Sequence, residues 1–334
     1  MRKKFFILVI IFNALVKIVI AQDIQLTQFY ASPMYLNPAF TGANSDSRFA
    51  TTYRNQWAAL PGSFTTLLMS YDYYIHNLMS GVGILLTSDK AGTAGLGTNT
   101  VGFSYAYDYK IDRNWSASLG IRGSYGYRTL DFTRLLFGDE IGRGATTSIQ
   151  TPTPDKISFL DFSSGLLVFS QKQWIGFTLN HMNQPNESFL GEDAKLPIKG
   201  SVHGGANIPL EKNGDGRITD KPYITVAGQY RFQKKFDQVD VGLYYNKPLY
   251  FIGLWYRGIP LLKAYKPGYP NNDAFAILIG ARYKQINVGY SYDITISKLT
   301  MVSGGSHEIS LNYQFSNPKK PKKHRTKIVP CPKF

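Results

Sequence analysis

Between residues 98 and 129 apolar and polar side chains alternate almost without a slip, and that pattern constrains the fold more than anything else in the chain. Val101, Phe103, Tyr105, Tyr107, Tyr109 and Ile111 share one phase, against Thr100, Gly102, Ser104, Ala106, Asp108 and Lys110. After a polar break, Trp115, Ala117, Leu119, Ile121, Tyr125 and Tyr127 oppose Ser116, Ser118, Arg122, Ser124 and Arg128. Side chains on a strand point alternately to its two faces, so each stretch is a ribbon with one greasy and one polar side. Strands of soluble sandwiches need only about five or six such residues. Runs of ten or more suit tilted strands crossing a bilayer with the greasy face toward lipid. Tyr105 and Leu119 should therefore face lipid, and Ser104 and Arg122 the lumen. The fold class is all-β, a transmembrane outer-membrane β-barrel.

Residues 1–21 read as a secretory signal peptide. Arg2, Lys3 and Lys4 precede the apolar run Phe5–Phe12, and Val19-Ile20-Ala21 offers a cleavage site before Gln22. Asn13 and Lys17 interrupt the run, leaving it short of the roughly 20 residues of a spanning helix. No later segment reads as a transmembrane helix, and the mean hydropathy is −0.19, as expected when every second strand residue is polar. The net charge of +15 is concentrated at the ends. Removing four basic residues of the leader and seven of the tail (Lys319, Lys320, Lys322, Lys323, Arg325, Lys327, Lys333) leaves +4 for residues 22–317. A nucleic-acid partner would need basic residues clustered on a folded face, so none is expected. The Pro/Lys composition after Asn317 reads as a disordered basic tail. Cys331, the single cysteine, excludes an internal disulfide; an inert thiol and an intermolecular bridge both stay open.

Period-two runs separated by Gly, Pro, Asn or Asp predict about 14 antiparallel strands, near 49–57, 64–75, 80–88, 98–111, 115–129, 159–170, 173–181, 197–209, 222–233, 238–246, 250–258, 273–284, 286–297 and 306–315. An even number would leave both chain ends in the periplasm. The stretches 89–97, 130–158, 182–196, 210–221, 259–272 and 298–305 read as long polar connections. The closing strand carries Ile309, Leu311, Tyr313 and Phe315 in its outward phase and stops on an aromatic residue. The 23 tyrosines and 21 phenylalanines fit interfacial belts.

The inward phase collects Arg54, Asp72, Asp108, Lys110, Arg122, Arg128, Arg231, Asp240, Arg257, Arg282, Asp293 and Glu308. Charges of both signs inside a low-dielectric wall survive when paired and hydrogen-bonded, which favours a cross-linked or plugged interior over a wide channel. Residues 22–48 lack the strand period and are rich in turn formers. They either hang free in the periplasm or fill the lumen, and the mixed-sign interior favours the lumen.

Glu211, Asn213, Asp215, Gly216 and Ile218 resemble half of a calcium loop, but Pro222 stands where the bidentate acid belongs, and an Asn-Gly-Asp-Gly turn explains the same letters. His307 and Glu308 are neighbours on a strand, point to opposite faces and cannot act as an acid/base pair. No nucleophile triad, carboxylate dyad or phosphate-binding loop appears; no enzyme activity, cofactor or metal is expected.

Three groups of motifs carry a resemblance. The first is Gln22-Asp23, Gln28-Phe29-Tyr30 and Leu36-Asn37-Pro38-Ala39-Phe40-Thr41-Gly42. The second is Tyr53-Arg54-Asn55-Gln56-Trp57 with Pro61-Gly62, followed by Leu136-Phe137-Gly138-Asp139-Glu140-Ile141. The third is Gly289-Tyr290-Ser291-Tyr292-Asp293 with Ser306-His307-Glu308-Ile309. In this order they resemble the PorP/SprF family of type IX secretion system outer-membrane proteins of the Bacteroidota. The resemblance implies a non-enzymatic barrel that serves type IX secretion and gliding motility. Its implied partners are outer-membrane lipid, periplasmic and outer-membrane components of that machinery, and a large adhesin-like protein as cargo. The roles of Asn37, Pro38, Tyr53, Arg54, Trp57, Tyr292, Asp293, Ser306, His307 and Glu308 are not implied by it. Asn37-Pro38-Ala39 also resembles the lumenal N-terminal hatch of fatty-acid-transporter-type barrels.

The expected organisation is a signal peptide at 1–21, a hatch-like segment at 22–48, the barrel at 49–315 and a basic periplasmic tail at 316–334. Lys319, Lys320, Lys322, Lys323 and Arg325 could contact a partner or an anionic membrane surface, or stay solvated. The barrel pattern alone also permits a channel for small hydrophobic compounds; the ordered motifs favour the secretion accessory.

Overall fold

The computed structural model describes residues 23–43, 47–145, 148–149, 155–211, 221–266, 269–296 and 303–315. Fourteen strands close into one antiparallel barrel: β1 (Ser47–Gln56), β2 (Phe64–Ile75), β3 (Ser80–Ala91), β4 (Leu96–Lys110), β5 (Ser116–Thr129), β6 (Lys156–Phe169), β7 (Gln173–Asn180), β8 (Lys199–Pro209), β9 (Tyr223–Gln233), β10 (Phe236–Asn246), β11 (Tyr250–Lys266), β12 (Tyr269–Tyr283), β13 (Ile286–Thr295) and β14 (Ser306–Phe315). Each strand pairs with its sequence neighbours, and β14 closes on β1 from Ser47↔Phe315 to Gln56↔Ser306. Closure leaves no edge, which a sheet in lipid requires.

The alternation becomes two faces as expected. Tyr105 and Leu119 are 44% and 59% exposed on the outer wall, while Ser104 and Arg122 are 5% and 7% exposed on the inner one. Two expected connections are corrected. The stretch 89–97 shrinks to four residues between β3 and β4, and 259–272 mostly extends the β11–β12 ladder past a register shift at Arg257/Gly258. Neither stretch alternates cleanly, because backbone pairing beyond the bilayer needs no greasy face.

The inner wall also departs from a simple polar lining. Trp174, Tyr244, Phe251 and Trp255 point inward and are buried. Each faces a glycine directly across the ladder: Gly205, Gly253, Gly280 and Gly242 respectively. A Cβ on Gly280 would stand 2.0 Å from the Phe251 ring, so these glycines make room for the aromatic rings.

Candidate functional site: the occupied lumen

The N-terminal segment runs through the barrel from one mouth to the other. Ile24 and Asp23 start it at the mouth where β7 ends and β8 begins. It contains the short helical turns Phe29–Ala31, Pro33–Leu36 and Pro38–Phe40, and Gly42 reaches the other mouth beside β2 and β3. Phe29, Tyr30, Leu36, Ala39 and Phe40 share one apolar core with Leu167, Trp174, Tyr244, Trp255 and Leu278 of the wall. Phe29 meets Trp255 edge-on at 5.0 Å, and Tyr30 meets Trp174 at 5.7 Å. A gap beside Thr27, Phe29 and Trp255 measures about 10 Å³, near the lower limit for one water molecule.

Six wall charges of alternating sign form a belt around the upper part of this segment. Arg231 contacts Asp240 at 2.7 Å, Asp240 contacts Arg257 at 2.8 Å, and Arg257 contacts Asp293 at 3.3 Å. Arg54 then bridges Asp293 at 2.8 Å and Glu308 at 2.9 Å. The belt grips Thr27 and Gln28. Their backbone N–H groups donate to the two Glu308 oxygens at 2.8 Å each, and the Thr27 hydroxyl donates to Asp293 while accepting from Arg54 and Arg257. The Gln28 amide donates to the Glu308 carbonyl oxygen at 2.9 Å and accepts from Ser310 at 2.7 Å. With three cations matched to three carboxylates, each charge has a partner in place of water.

At the amino-terminal end, the Asp23 carboxylate lies 2.9 Å from both Lys199 and His181, and the other His181 nitrogen lies 3.1 Å from Asp161. Burial raises the Asp23 pKa, but Lys199 and His181 outweigh it and hold the group well below the usual carboxylate range. Burial likewise lowers the His181 pKa, and Asp23 and Asp161 outweigh it, leaving it at about 9. At the far end, Arg48 makes a two-point contact with Asp72 at 2.9 and 3.0 Å, and Gly42 N–H donates to Asp72 at 2.7 Å.

Arg54, Asp293 and Glu308 thus converge on one belt, and Ser306 is buried on the same face. Asn37 caps the Pro38–Phe40 turn by accepting from Ala39 N–H, and its amide donates to the carbonyls of Leu166 and Phe177, so Asn37 and Pro38 dock on β6 and β7. Tyr53, Tyr292 and His307 lie on the outer face instead; the Tyr290 hydroxyl and His307 are 2.8 Å apart, and Trp57 follows β1 and packs edge-on against Phe64. Lys110 departs from the inward set: at the last position of β4 it is exposed, beyond the filled part of the lumen. Residues 1–22, the turn at Asn213, Asp215, Gly216 and Ile218, Cys331, and the tail with Lys319, Lys320, Lys322, Lys323 and Arg325 lie outside the described residues. Among the described residues no group of three His, Cys, Asp or Glu side chains could hold a metal ion.

Sequence reasoning passes over Arg48, Asp161 and Lys199, although Arg48 shares its phase with Arg54, Asp161 with Ser163, and Lys199 with Ser201. Starting β1 two residues earlier would have found Arg48, whereas Asp161 and Lys199 already lie inside the expected strands 159–170 and 197–209 and needed only their parity read. Nothing periodic points to Thr27.

A closed fourteen-strand barrel with a greasy outer wall and a lumen filled by its own chain defines the class: a β-barrel of the outer-membrane type. The family model described as type IX secretion system membrane protein PorP/SprF matches residues 18–313, and the chain belongs to that family. No curated protein sequence matches it. Among solved structures it is similar to the CymD monoaromatic hydrocarbon channel, at 12% identity over 86% of this chain and 93% of that one, with a TM-score of 0.47. It is also similar to a Pseudomonas aeruginosa FadL homologue, at 10% identity over 86% and 94%, with a TM-score of 0.46. BamA from Haemophilus ducreyi lacking POTRA domains 1-3 is similar at 13% identity over 81% and 70%, with a TM-score of 0.41.

Proposed function

We propose that this protein is a non-enzymatic outer-membrane accessory of the type IX secretion and gliding-motility machinery, supporting secretion or surface retention of a large adhesin-like cargo. Family membership across residues 18–313 carries this reading. The occupied lumen supports an accessory rather than a conduit, because a filled barrel of this size has no room for a folded cargo. In the proposed arrangement residues 1–21 are a removed leader, 22–48 a hatch, and 316–334 a basic tail. The connections 76–79, 111–115, 170–172, 247–249 and 284–285 at the mouth of Phe315 are five residues or shorter, and the two longest in the barrel, 130–155 and 181–198, lie at the opposite mouth, which supports a periplasmic placement of the Phe315 end. Asp23 lies at the opposite mouth, so the expectation of both chain ends on one side is revised: the hatch starts on the external side.

Deleting the gene should abolish surface display of the cargo while leaving outer-membrane permeability to small hydrophobic compounds unchanged. Normal display with failed uptake of such compounds would refute the proposal.

A further inference from the structure

The connections at the Phe315 mouth are basic. Lys110, Arg113, Lys172, Lys221, Lys247 and Lys284 stand there against Asp112 and Glu211 among the described residues. Both acids are engaged locally: Asp112 accepts from the Trp115 N–H of its own turn, and Glu211 pairs with Lys221 at 3.3 Å. At the other mouth acids outnumber cations in the connections 130–155 and 181–198.

Two of these lysines are placed toward lipid. Lys247 Nζ lies 5.9 Å from the Tyr245 ring centre and 5.5 Å from that of Tyr250, and Lys284 Nζ lies 5.1 Å from that of Tyr283. All three rings are on the outer wall, 38%, 41% and 65% exposed. Arg282 joins the two turns, donating from its backbone N–H to the Leu249 carbonyl at 2.8 Å and from its side chain to that of Lys247 at 3.0 Å. The Tyr313 hydroxyl donates to Gln285 at 3.2 Å, extending the rim to β14. Beyond β14 the sequence carries its seven basic residues.

We propose that the rim formed by the β10–β11 and β12–β13 turns binds the phosphate headgroups of anionic phospholipids in the inner leaflet. The charge is complementary, and the tyrosines hold both ammonium groups on the outer wall, at the depth where aromatic belts meet headgroups. An acidic protein face would more naturally meet cations turned toward the mouth. The leaflet assigned here rests on the orientation proposed above; the headgroup chemistry does not.

The test is native mass spectrometry of the purified full chain titrated with phosphatidylglycerol or with phosphatidylcholine of the same acyl chains. Wild type should retain phosphatidylglycerol preferentially. K247Q/K284Q should weaken that retention about 30-fold, at roughly fivefold per lysine near a charged surface, and leave phosphatidylcholine unchanged. K195Q/K234Q at the other mouth should change neither, and fast migration of unboiled samples checks that every variant folds. Equal retention of the two lipids, or unchanged phosphatidylglycerol binding by K247Q/K284Q, overturns the proposal. So does a double variant that keeps the lipid but no longer captures an acidic periplasmic protein. Orientation is read separately. Labelling of Q285C in a C331S background by an impermeant maleimide on intact cells would refute the periplasmic placement and leave the lipid result standing.

Discussion

Arg54 illustrates how the lumen treats a charge. Its side chain is 2% exposed and bridges two carboxylates, so replacing it leaves Asp293 and Glu308 buried without their shared cation. Arg54→Met should therefore destabilise the barrel by about 3–5 kcal/mol, read as a drop in the temperature at which fast migration is lost. His307→Gln, next to Glu308 but on the outer face, should cost less than about 1 kcal/mol. Equal losses would mean that the belt is not a structural unit. His181 adds a pH dependence. A histidine whose folded pKa is raised contributes its full stability below the unfolded value near 6.5 and loses it as pH climbs through about 9. A spin label at Gln25 (Q25C in C331S) should become more mobile between pH 6.5 and 9.5. In H181Q that change should disappear.

At the scale of elements, the inner segment and the wall fit through backbone contact as well as charge. Gly165 of β6 and Gly120 of β5 face the Asn37–Ala39 stretch. A Cβ at Gly165 would stand 1.9 Å from the Asn37 side-chain oxygen, and one at Gly120 would stand 2.3 Å from the Ala39 nitrogen. Asn37 cannot retreat without giving up its bonds to the Leu166 and Phe177 carbonyls. Gly165→Ala should thus loosen the inner segment at a cost of about 1–3 kcal/mol, seen as faster hydrogen exchange in residues 29–41 with strand protection retained. Gly138→Ala, where an added Cβ meets nothing within 4 Å, should leave exchange unchanged. Similar exchange in the two variants would place the docking contact elsewhere.

For the whole molecule, the filled lumen predicts a closed electrical state. Wild-type protein in planar bilayers should conduct little, and deletion of residues 23–43 should open a pore of much larger conductance; unchanged conductance would mean the segment does not obstruct the lumen. Much of the barrel is readable in the chain because strand side chains alternate and one face must meet lipid: β2, β5 and β14 fall near their expected spans, and the phases of Tyr105, Ser104, Leu119 and Arg122 follow from parity alone. The belt is half legible, since parity sends all six of its charges, Arg54, Arg231, Asp240, Arg257, Asp293 and Glu308, inward without saying which of them meet. Local patterning thus determined the fold class, the two faces of the wall and the inward set of charges, because each depends on residues two apart. Only the tertiary structure decided the pairing Arg231–Asp240–Arg257–Asp293–Arg54–Glu308, its grip on Thr27 and Gln28, and the start of the inner segment at the mouth opposite Phe315. Those contacts join residues up to 281 positions apart, brought together by barrel closure and by a segment with no period of its own.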